Sequence, residues 1–199
     1  MTHRERAITA ITGGTPDYVP TFELVFHETE RDLEGRTFFG TSFEPKARGM
    51  SYTDIVKYNA RLYVDVARRY DHSIIFVNST LRDHEPPGEH QDRFTHCTPG
   101  TLDTIKAIRD LTGDEFLVVN HNDPTFPIPW EEMEKFCYSL FEDPEGVHRT
   151  ARQALDDAMR ECEAFLAAGS DGFVLASDYC TNDGPFISPP SSRSSSPPT

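Results

Sequence analysis

Three short runs carry apolar residues in succession: Ser73-Ile74-Ile75-Phe76-Val77, Phe116-Leu117-Val118-Val119 and Gly172-Phe173-Val174-Leu175-Ala176. A strand with one face in water alternates apolar and polar residues. Runs without alternation belong to strands covered on both faces, as in a parallel sheet. A stretch with helical spacing accompanies each run. Ser51 stands as an N-cap with Asp54 three residues on, and Ile55, Tyr58, Leu62, Val66 and Tyr70 recur at helical intervals through Arg69. Thr101 reads as the cap of the next helix, Leu102, Ile105, Ile108 and Leu111 as its buried stripe, and Gly113 as its stop. Trp130 to Phe141 is amphipathic. Asp143-Pro144-Glu145 opens another helix, with proline at its first position and acid in its first turn. That helix is predicted to reach Ala168, with Val147, Ala151, Leu155, Ala158, Cys162, Phe165 and Leu166 toward the core and Gly169 at its end.

The N-terminal part is more broken. Arg4 to Ile11 reads as a short helix stopped by Gly13 and Gly14, and Thr15-Pro16-Asp17 has turn chemistry. Val19 to Phe26 is β-rich, with Pro20 near its start, where a missing N–H is tolerated. Glycines and prolines between residues 29 and 50, and again from Ser79 to Gly100, predict loop. The order is strand, helix, strand, helix, strand, helices, strand, and it predicts an α/β fold with helical cover on a parallel sheet. Pro189 to Thr199 holds only Pro, Ser, Arg and Thr, so residues 1–188 are expected to fold and 189–199 to form a disordered tail.

Charge and motifs narrow the function. Asp and Glu number 33 against 19 Lys and Arg, a net charge of −14. The average field therefore repels polyanions, and no nucleic-acid partner is expected. No apolar stretch reaches the roughly 18 to 20 residues that span a bilayer, and no apolar signal segment follows the first residues. A cytoplasmic protein without a membrane partner is expected. Cys97, Cys137, Cys162 and Cys180 are widely spaced, with no C-x-x-C pair, and read as buried thiols rather than a disulfide framework. His84, His90 and His96 lack zinc spacing, so no metal is expected. Neither G-x-G-x-x-G nor a P-loop occurs, and no cofactor is expected.

In parallel α/β folds, ligands meet the carboxyl ends of the strands. That rule selects Glu23, His27 and Glu28 after the first strand and Asn78 after the second. It selects His121 and Asp123 after the third, and Asp178 and Tyr179 after the fourth. Carboxylate, imidazole and phenol together can move protons. His27, Asn78, His121 and Asp178 are the candidate catalytic residues, and Glu23, Asp123 and Tyr179 the candidate substrate-binding residues. Strand-end polar residues also serve solvation and capping alone. Cys180 reads as an inert buried thiol, because nothing near it in sequence lowers its pKa.

Several spellings carry a resemblance. They are Arg4-Glu5-Arg6-Ala7, Pro16-Asp17-Tyr18-Val19-Pro20, Glu142-Asp143-Pro144-Glu145-Gly146-Val147, Ala168-Gly169-Ser170-Asp171-Gly172 and the stretch Ser177 to Pro189 containing Gly184-Pro185-Phe186. Over residues 4 to 189 the chain resembles the uroporphyrinogen decarboxylase-like superfamily. The resemblance implies a (β/α)₈ barrel, of which this chain supplies about half, so a partial barrel from a truncated or frame-shifted product is expected. An open half-barrel exposes a strand edge, which predicts association into homo-oligomers. The family implies decarboxylation of a tetrapyrrole without a cofactor, or, in its other branch, corrinoid-linked methyl transfer. A non-catalytic fragment or interaction subunit is the third expectation. Two spellings depart from the decarboxylases. Leu24 to Arg31 lacks their Arg-Gln-Ala-Gly-Arg, and Asn78 stands where they carry Asp. An Asn accepts an N–H bond but brings no charge to a pyrrolium-like intermediate.

Overall fold

Ile74–Val77 forms β1 and Leu117–His121 forms β2 in a computed structural model that describes residues 1–24, 35, 36, 38, 49–78, 97–122, 132–175, 180–181 and 184–185. Every residue of β1 and the first four of β2 are buried. Both faces of the pleat are filled by β-branched and aromatic side chains, as unbroken apolar runs require. Gly172–Val174 forms β3, shorter than its apolar run predicts and half-buried rather than covered on both faces, with Leu175 just beyond it exposed. The strands are parallel and ordered β1-β2-β3. Ile74 lies opposite Leu117 and Val77 opposite Asn120, while Asn120 in turn faces Phe173 and His121 faces Val174.

Five helices occur among the described residues: α1 (His3–Ile11), α2 (Tyr52–Arg69), α3 (Pro99–Thr112), α4 (Met133–Glu142) and α5 (Pro144–Ala168). The result is a mixed α/β structure. The chain divides into two compact units, one of Met1–His121 with Glu163–Val174, the other of Asn122–Cys162 with Leu175–Thr199. In the first, α2 packs along α3 and against β1. Its core joins Leu62, Tyr63 and Val66 of α2, Ile105 and Ile108 of α3, the sheet, and Phe165 of α5. The second unit holds α4, most of α5 and a two-stranded antiparallel pair, β4 (Cys180–Thr181) with β5 (Gly184–Pro185). No helix among the described residues is long and apolar enough to cross a membrane.

Capping sets the helix starts. Thr2 and Glu5 form a reciprocal box on α1: Thr2 Oγ1 accepts the Glu5 N–H at 3.1 Å, and the Glu5 carboxylate accepts the Thr2 N–H at 2.8 Å. Ser51 caps α2 through the Asp54 N–H, as its sequence position predicts. For α3 the cap is Thr98, not Thr101. Thr98 Oγ1 accepts the Thr101 N–H at 3.1 Å, and Pro99 occupies the first helical position. The reason is the proline. It needs no N–H partner at that site and presets the helical φ, so the helix begins at residue 99.

Other expectations shift. The strand expected from Val19 to Phe26 is absent in its described part, residues 19–24. A single sheet-like bond survives there, from the Ser73 N–H to the Thr21 carbonyl at 2.8 Å. Leu111, Leu155 and Leu166 are exposed rather than buried. On α5 the buried set is Val147, Ala158, Phe165 and Ala168. At about 100° per residue, Leu155 and Leu166 sit roughly 80–100° around from the line through Val147 and Phe165. On α3, Thr101 and Thr104 are buried, whereas Leu111, on the face of Thr104 but in the last turn before Gly113, is exposed. Thr104 tolerates burial because its hydroxyl donates to the Gly100 carbonyl at 2.7 Å.

Candidate functional site

The two ends of the sheet differ in chemistry. Helix α1 lies at the amino-terminal end. The Arg4 N–H donates to the Glu115 carbonyl at 3.1 Å, the His3 ring stacks on Phe116 at 5.0 Å, and an Arg6 guanidinium N–H reaches Ser73 Oγ at 3.4 Å. Arg6, 4% exposed, also grips Asp17 at 2.6 and 3.2 Å and packs over the Tyr18 ring. The Arg6 hydrogen bonds hold the Asp17 carboxyl well below the usual carboxylate range. Asp171 closes the same end. Its carboxylate accepts from Arg4 at 2.9 Å, from Arg109, and from the Val118 N–H at 2.9 Å. Burial pushes the Asp171 carboxyl up, but these three hydrogen bonds outweigh it and hold it down. Arg109 further donates to the carbonyls of Gly169, Gly113 and Phe116. Gly169 has a φ of 106°, and a Cβ there would stand 2.8 Å from Arg109 Cγ. The Ala168-Gly169-Ser170-Asp171-Gly172 spelling is thus explained by architecture: glycine makes the turn and aspartate ties β3 to β2.

The carboxyl end carries two of the residues that the strand-end rule selects. Val77 and Asn120 are paired in register, and Asn78 and His121 each follow by one residue. Neighbouring parallel strands run about 4.8 Å apart, so these two residues finish adjacent strands at one rim. Asn78 is exposed and His121 half-buried. The Asn78 N–H donates to the Tyr63 hydroxyl at 3.3 Å. Asn120, 1% exposed, is fixed beneath the rim: its Oδ1 accepts from the Ser170 hydroxyl at 2.6 Å, and its Nδ2 donates to the His121 carbonyl at 3.2 Å. Asn122 begins the second unit and turns into it, with Nδ2 donating to the Ala158 carbonyl at 3.0 Å and to Cys162 Sγ at 3.2 Å. Burial pushes the Cys162 thiol up, which keeps it protonated and a poor nucleophile.

No protein-family model, curated protein or solved structure matches this chain.

Of the seven candidate catalytic and substrate-binding residues, the structure brings Asn78 and His121 together at adjacent strand ends. Glu23 is half-buried, and its charge acts on His72, at the foot of β1. His27, Asp123, Asp178 and Tyr179 lie outside the described residues, as do His84, His90, His96 and the tail from Pro189. Of Cys180 only the backbone is described. Among the described residues no group of three or more His, Cys, Asp or Glu side chains is placed to hold a metal ion. Sequence reasoning overlooked Tyr63, Asn120 and Ser170. Asn120 had a signal, since an amide inside an apolar run must find partners once buried. Tyr63 had none, because its ring fits the helical apolar pattern as a Phe would.

Among the described residues the rim therefore offers the side-chain amide of Asn78 and the imidazole of His121. Such groups can bind carboxylates and amides by hydrogen bonding.

Proposed function

We propose that residues 1–188 are the opening part of a uroporphyrinogen decarboxylase-like (β/α)₈-type barrel whose rim binds the carboxylates of a tetrapyrrole. The observation that carries this reading is the strand order β1-β2-β3, each strand stepping in the same direction as the last. A closed cylinder needs that single direction of winding, whereas a doubly wound sheet reverses. Right-handed crossovers that step the same way put their helices on one face and leave the other for a barrel interior. Strand-end Asn78 and His121 then stand where barrel enzymes carry their chemistry.

In this reading Asn78 and Asp178 bind polar substrate groups, with Tyr179 and Asp123 as further substrate-binding residues; Glu23, beside His72 at the foot of β1, takes no part. In the decarboxylation step the bond from an acetate methylene to its carboxylate breaks and carbon dioxide leaves. A proton from His27 or His121 then completes the methyl group. The test is binding of uroporphyrin by fluorescence quenching, followed by turnover of uroporphyrinogen. Saturable binding that is weakened at least tenfold in Asn78→Ala and His121→Ala supports the reading. A chain that neither binds uroporphyrin nor is stabilised by it overturns it. Methyl transfer from methylcobalamin, run alongside, would move the assignment to the corrinoid branch.

A further inference from the structure

We infer that Tyr63 is a positioning residue for the rim, acting through the backbone of Asn78; the inference deepens the tetrapyrrole reading and rests on it for its ligand. Tyr63 lies on α2 and is 2% exposed, with its ring against Phe38 at a centroid distance of 4.3 Å. The buried cluster to which it belongs includes Leu62, Val66, Ile75 and Val77, side chains without polar atoms. Packing there needs only a ring. A hydroxyl on that ring is costly to bury unless it is hydrogen-bonded.

Its oxygen accepts from the Asn78 N–H, at 3.3 Å. The β1–β2 ladder ends at the Val77–Asn120 pair, so Asn78 is the first residue beyond the paired stretch. Its amide needs a partner from elsewhere, and the phenol oxygen supplies one from beneath the sheet edge. The bond runs from a rigid helix to the residue that carries the rim's amide side chain. Helix-mounted supports hold a site more closely than loop contacts do. Tyr63 therefore sets where the Asn78 side chain begins its reach toward a ligand, without touching the ligand itself.

The test combines amide exchange with a double-mutant cycle in the full chain. Tyr63→Phe keeps the ring and removes only the hydroxyl, and Asn78→Ala keeps the backbone N–H and removes only the amide side chain. In Tyr63→Phe the Asn78 amide should exchange about tenfold faster by NMR, while the Ile75 and Val118 amides keep their protection. The uroporphyrin Kd should rise about threefold to tenfold, the range of one net hydrogen bond. That rise should vanish when Tyr63→Phe is placed in an Asn78→Ala background, because the two residues act through one another. An equal rise in both backgrounds, or unchanged exchange at Asn78, overturns the inference. If the unmodified chain binds no uroporphyrin, the functional reading fails, and the exchange measurement alone decides whether Tyr63 holds the rim.

Discussion

Asp171 holds Val118 at both backbone atoms: the Asp171 N–H donates to the Val118 carbonyl at 2.7 Å, and the Val118 N–H donates to Asp171 Oδ2 at 2.9 Å. The pair sits just ahead of the Val119–Gly172 register position, so it fixes where β3 starts beside β2. A one-residue slip would move every β3 side chain to the opposite face.

Replacing Asp171 with Asn should destabilise the chain by about 2–3 kcal/mol. The change strips a partly buried carboxylate from both Arg4 and Arg109 and leaves Arg109 short of its counter-charge. For a chain of this length, Tm falls roughly 5–10 °C. Urea unfolding checks it; a loss below about 0.5 kcal/mol would show that the carboxylate adds nothing to the backbone pairing.

Acid should weaken the fold in two stages. Burial lowers the His72 pKa from its ordinary 6.5, partly offset by the charges of Glu23 and Asp71. The unfolded chain then binds a proton that the folded chain resists, so His72's contribution is present above about pH 7 and is lost as pH falls through the folded pKa. Asp171 and Glu115 are held below their ordinary values, so their contribution persists to about pH 4 and is lost below it. Stability measured from pH 8 to pH 3 should fall first near pH 6 and again below pH 4. His72→Gln should remove the first fall only, and Asp171→Asn should flatten the second.

Thr98→Ala should cost about 1 kcal/mol, the usual effect of losing an N-cap oxygen. Thr98 is buried, and its hydroxyl also contacts Thr101 Oγ1 at 2.9 Å, so water does not readily replace it. Thr98→Ser should recover most of the loss, and Thr101→Ala should spare the cap. Thermal melts of the three variants distinguish a cap at residue 98 from one at residue 101.

Asp71 is the one non-glycine residue with positive φ among the described residues, at 56°. It follows α2 where glycine is usual, and it keeps its place through the Tyr18 hydroxyl, which donates to its carboxylate at 2.7 Å. Asp71→Gly alone should be nearly neutral, since strain is relieved as the contact is lost. In a Tyr18→Phe background, where the contact is already gone, the same change should stabilise by about 0.5–1 kcal/mol. Equal effects in both backgrounds would separate the strain from the contact.

Elements of local origin were legible in the chain. The run Ile74 to Val77 is a strand because four apolar side chains in succession need cover on both faces, and α2 and its Ser51 cap follow from spacing and hydrogen-bonding chemistry within a few residues. The start of α3 was misplaced by a few residues because two threonines compete as caps and only the proline between them decides. The exposure of Leu155 and Leu166 was not legible, since a helix with apolar residues over a wide arc does not say which part of that arc meets a partner. At the rim, Asn78 and His121 were found by the strand-end rule, whereas Asn120, Ser170 and Tyr63 act through bonds to residues distant in sequence.

By itself the sequence determined the helical period of α2, its Ser51 cap and the buried run of β1, because those depend on neighbours within one or two turns. Tertiary structure alone decided that Asp171 would clamp Val118, that Arg4 and Arg109 would share one carboxylate, and that Asn78 would finish beside His121. Those relationships join residues 43 to 167 positions apart, and a chain specifies such meetings only through the summed packing of the whole core.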